Sequence, residues 1–152
     1  MTVVSQSQFL RVYTTAGVTL HRWQSYYANT TRQHAGASWS YLPFEASGIT
    51  AGQTGDETGV SITLPAVPDV VGAIDLAIVD THLWELSIYQ FTPGREDQQV
   101  LVETFTGEVV SATATLGAIQ VDLGAPLSPV CAQIPPRTVA SNLIGTGCRL
   151  RA

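Results

Sequence analysis

The side chains able to do chemistry in this chain are few and scattered. His21, His34 and His82 lie far apart, and only His82 has a close acidic neighbour, Asp80, two residues before it. Such a pair can orient an imidazole, but no serine or cysteine stands in a nucleophile motif beside it, so the pair reads as structural. Asp56 and Glu57 could offer oxygens to a cation, yet an oxygen cage needs more ligands than one adjacent pair supplies. Glu45, Glu96 and Asp97 have no partner spaced as the two carboxylates of a glycoside hydrolase. There is no GxGxxG or Walker pattern, and hence no phosphate cradle. Cys131 and Cys148 are too far apart for a CxxC motif, and two ligands do not close a zinc site. Free thiols are their simpler reading, with a disulfide left open. Trp23, Trp39 and Trp84 would make a sugar-stacking platform if exposed, although at strand spacing they read as core. The expectation is a chain without catalytic activity, metal or cofactor.

Composition points to what holds such a chain in place. Of 152 residues, 12 are acidic and 7 basic, lysine is absent, and the net charge is -5. A length of this order makes one domain with a real core. So sparse a charged surface is unusual for a free monomer, because solvated charge of both signs keeps small domains apart. The expectation is a subunit of an assembly. An acidic balance excludes a surface that binds nucleic acid by displacing counterions, although it could let nucleic acid slide past. No apolar run reaches the ~20 residues of a membrane span, and no signal peptide opens the chain, so cytoplasmic synthesis is expected.

The elements that must position any surface are mostly strands. Gly59 to Pro65 alternates Val60, Ile62 and Leu64 with Ser61 and Thr63, the period of a strand buried on one face. After Pro68, Asp69 suits a helix start, and Val70, Ile74 and Ala77 recur on one helical face; a buried strand over 70–79 is the competing reading. Strands are expected over 10–13, 18–23 and 39–44, with 24–38 irregular and 48–59 a loop. Ser5 and Ser7 could cap a short N-terminal helix. Residues 83–91 give the clearest strand, with Trp84, Leu86 and Ile88 on one face. Residues 99–106 and 107–116 read as a strand pair, followed by a strand over 118–123, which together make a meander. Residues 124–152 are proline-rich and read as an extended tail. The fold class is mainly β, an antiparallel barrel or sandwich with one short helix, in a single domain over 1–152.

The order of these elements carries a resemblance. Strands precede Tyr41-Leu-Pro-Phe-Glu-Ala-Ser-Gly48; then come the strand Ser61-Ile-Thr-Leu64, the short helix, a strand pair, Pro136-Arg137 and the late Cys148. Over about residues 35 to 150 this pattern resembles the N-terminal barrel domain of the minor tail protein L family, tail-tip hub adaptors of long-tailed bacteriophages and related gene transfer agents. The resemblance implies a barrel about the tail axis, in a ring of three copies favoured over six. It also implies contacts with tube, hub and spike proteins, and residence in the virion after assembly in the host cytoplasm. In that family a further domain holds an iron–sulfur cluster, and Cys148 falls near the first ligand. The chain ends four residues later, so no cluster is carried over. Ser61, Thr63, Asp56, Glu57, Arg137, Asn142, Leu143 and Arg149 are expected at the lumen or at subunit contacts. The alternative is a carbohydrate-binding β-sandwich that stacks a host glycan on Trp23 or Trp39.

Overall fold

The computed structural model describes residues 3–26, 31–47 and 59–124. Among these residues, nine strands form one mixed sheet. They are β1 (Ser5–Tyr13), β2 (Thr19–Gln24), β3 (Thr31–His34), β4 (Ala37–Tyr41), β5 (Glu45–Ala46), β6 (Gly59–Pro65), β7 (Leu83–Phe91), β8 (Val100–Thr115) and β9 (Ala118–Gly124), with helix α1 (Pro68–Asp80) between β6 and β7. The spatial order is β3-β4-β2-β1-β7-β8-β9-β6-β5. Every pairing is antiparallel except that of β2 with β4. The mainly β class with one short helix is as expected; a closed barrel is not. The ladder keeps two edges, β3 and β5, because β5 is only two residues long and Pro43, just before it, has no amide hydrogen to donate. The sheet nevertheless curls far enough for the Ala46 amide in β5 to donate to Gln8 Oε1 in β1, at 3.2 Å.

The alternation of apolar and polar residues decides which face the helix covers. Val60, Ile62 and Leu64 of β6, Trp84, Leu86 and Ile88 of β7, and Ile119, Val121 and Leu123 of β9 turn to one face and form the core with Leu10, Val12 and Trp23. α1 lays Val70, Ala73, Ile74 and Ala77 on that face. Fully burying side chains of this size contributes about 1.5–3 kcal/mol each, so this layer is the main source of stability. Pro68 opens the helix, with Asp69 in the first turn, and no side chain caps it. It ends at Thr81, whose φ of 55° is the left-handed conformation usual just past a helix end, although uncommon for a β-branched residue.

Several boundaries differ from the sequence reading. Ser5 and Ser7 belong to β1, Ser7 fully buried, where a helix cap was expected. Within the segment expected to be irregular, Thr31 to His34 and Ala37 onward form the β3–β4 hairpin, which turns on Ala35 and Gly36, both at positive φ. Residues 99–116 do not form a strand pair: β8 is a single strand of 16 residues. Gly107 is not a turn but a place of close approach, since a Cβ there would come 2.5 Å from the Gly124 carbonyl oxygen and 2.7 Å from the Phe105 ring. The hairpin turn lies at Leu116-Gly117, where Gly117 has φ 79°. The loop with Asp56 and Glu57, and the tail with Cys131, Arg137, Asn142, Leu143, Cys148 and Arg149, lie outside the described residues.

Candidate interaction surfaces

The face of the sheet turned away from α1 has two halves of different chemistry. On β6, β8 and β9 it is a lattice of hydroxyls and amides centred on Asp122. Ser111 Oγ donates to Asp122 Oδ2 at 2.7 Å, and Ser61 Oγ donates to Oδ1. Gln120 Nε2 lies 3.5 Å from the same Oδ1. These hydrogen bonds, Ser111's first, hold the Asp122 carboxyl below its usual range. One carboxylate thus ties three neighbouring strands together. Of the sequence-predicted contact residues, Ser61 is half-buried in this lattice, and Thr63 stands exposed beside it on β6.

The other half, on β1, β2, β3, β4 and β7, is aromatic and cationic. Phe9 stacks on His34 with ring centroids 4.0 Å apart and 17° between planes, and Trp39 and Tyr89 meet Phe9 edge-on at 5.2 and 5.4 Å. Trp39 Nε1 donates to the His34 carbonyl at 3.0 Å, closing the β3–β4 hairpin over the cluster. Burial, and secondarily the Arg32 charge, hold His34 below its ordinary pKa. Beside the cluster an open cleft of about 300 Å³ is bordered by Arg11, Arg22, Glu85 and Ser87. Arg11 is directly opposite Arg22 in the β1–β2 ladder, a like-charge pair, and directly opposite Glu85 in the β1–β7 ladder, which offsets part of that repulsion. Arg11 Nε donates to Thr19 Oγ1 at 2.8 Å, and its guanidinium lies 4.5 Å from the Tyr13 ring centroid. Among the described residues neither arginine is ion-paired with a carboxylate.

The opposite side of the molecule presents the solvent face of α1. Val71, Leu76, Ile78 and Val79 are 40–77% exposed, so this helix is apolar nearly all the way round. Helices of that kind are normally covered on every side. Asp75 is exposed between Val71 and Val79, and with Val71, Ala112 and Ala114 it lines a groove of about 190 Å³ between α1 and the β8–β9 hairpin. The sequence reading picked out the buried stripe of α1 but not its apolar outer face. Nor did it single out Arg11 and Arg22, since only the β1–β2 register brings them together.

Catalytic and glycan-binding arrangements find little support. His82 is buried, and its Nε2 is 3.9 Å from Asp80 Oδ2, too far for a hydrogen bond. Among the described residues, no three His, Cys, Asp or Glu side chains gather closely enough to hold a metal ion. Trp23, Trp39 and Trp84 are 6%, 8% and 0% exposed, so none offers a ring face on which a sugar could stack.

No protein-family model matches the chain, and no curated protein matches it. Among solved structures, its fold is similar to that of a chain in the virion of native gene transfer agent (GTA) particle, with a TM-score of 0.55 and 12% identity. The similarity covers 85% of this chain and 42% of that one, so this chain spans less than half the length of the one it matches.

Proposed function

We propose that this chain is a structural, non-catalytic subunit of a bacteriophage tail tip or baseplate. It forms a ring about the tail axis that joins the end of the tail tube to the central hub or spike. The fold it shares with a virion chain of a gene transfer agent is the observation that carries this reading. Three physical features support it. The outer face of α1 exposes large apolar side chains that water disfavours. The chain has few charges and no lysine, as suits surfaces buried between subunits. The hydroxyl-rich lattice around Asp122 is polar without being cationic, a lining along which DNA would pass without sticking. The ring has cyclic symmetry, three copies being what the family resemblance implies, and the virion is its place of residence. Protein analysis of purified phage particles tests the proposal. The chain should copurify with tail proteins in a fixed, small copy number, and its absence from particles would refute the reading.

A further inference from the structure

We infer that the aromatic and arginine cleft of one copy receives the outer face of α1 of the next copy, with Asp75 set between Arg11 and Arg22. This rests on the ring reading and names the surfaces that would build it. The two surfaces lie on opposite sides of one sheet: Phe9, Arg11, Glu85 and Ser87 alternate along β1 and β7 with the residues that carry α1. The cleft holds two guanidiniums and one carboxylate beside an aromatic cluster: Glu85 stands opposite Arg11 across β1 and β7, without an ion pair among the described residues, so the cleft keeps an excess of positive charge at Arg22. The helix face holds an exposed carboxylate amid exposed Val71, Leu76 and Val79. In a chain of net charge -5, an opposed pair of arginines is the exception; Glu85 offsets the charge beside Arg11, and a carboxylate from the next copy would do the same for Arg22. The apolar rim would exclude water from that ion pair, which raises its effect on specificity and register. The contact is heterologous, a different surface on each partner, so it generates a ring when the rotation closes and a filament when it does not.

Charge exchange tests this contact. Native mass spectrometry of the full chain should find the wild type as a closed oligomer. Asp75→Arg and Arg22→Asp should each weaken association by about tenfold or more, and the double variant should recover it. Val79→Asp, which leaves the arginines intact, should also dissociate the oligomer, and thermal melts by circular dichroism confirm that each variant is folded. An oligomer that persists through the single exchanges and Val79→Asp overturns the contact while the ring stands on other surfaces. A wild type that stays monomeric also overturns the contact, and its presence in or absence from purified particles then judges the ring reading separately.

Discussion

Asp122 and His34 are two side chains whose protonation the fold controls. Asp122 accepts from Ser111 and Ser61 across two strand boundaries, so Asp122→Ala strips the acceptor from both hydroxyls. A partly exposed charged acceptor of this kind is worth about 1 kcal/mol, and chemical denaturation should show a loss of that order. Because the folded carboxyl titrates below its ordinary value, its contribution is complete above that value and disappears as the pH falls through the folded pKa. His34 has the same sign at a higher pH. Its folded pKa is depressed below 6.5, so the unfolded chain takes up a proton first, and stability declines as the pH drops from 6.5 towards the folded value. Arg32 adds repulsion to the cationic form, and Arg11 and Arg22 line the same cleft. Replacing the ring with phenylalanine keeps the stack on Phe9 and removes the proton. His34→Phe should therefore flatten the melting temperature between pH 6.5 and 5, whereas the wild type loses stability over that interval.

At the scale of elements, β8 decides the shape of the sheet. Its 16 residues cross the point where Gly107 and Gly124 approach each other, and the obstruction there is a backbone carbonyl as well as a ring. Gly107→Val has to displace that backbone and should cost about 1–3 kcal/mol, read as a lowered denaturation midpoint with an unchanged slope. A glycine that opens a turn and one that admits a neighbouring strand look alike in a sequence, which is why residues 99–116 read as two strands. The alternation in β6 and β7 was legible because one face of each is buried, and α1 was legible from Val70, Ile74 and Ala77. The β3–β4 hairpin was not, since its polar residues carry no period and its stability comes from Trp39 and His34 packing on Phe9 of a distant strand. The seam between β5 and β1 was equally hidden, because the Ala46 amide donates to the Gln8 side chain where a barrel would have backbone pairing. Of the expected contact residues, Ser61 and Thr63 do lie on the polar outer face. The cleft escaped notice because Arg11 and Arg22 are neighbours only across a ladder.

At the scale of the molecule, the arrangement is a curled sheet with a helix on one side and a divided surface on the other. One core lies under α1, and among the described residues the surfaces left over are poorly suited to water: an apolar helix face, an opposed arginine pair and two short sheet edges. The proposed assembly with copies of itself at the end of a phage tail would cover all of them together. Electron cryomicroscopy of intact tails, with this subunit marked by a bound antibody fragment, tests that most directly. Labels arranged with cyclic symmetry about the axis where the tube meets the hub are the expected result. Labels on the head, along the length of the tube, or at one off-axis position per particle would contradict it.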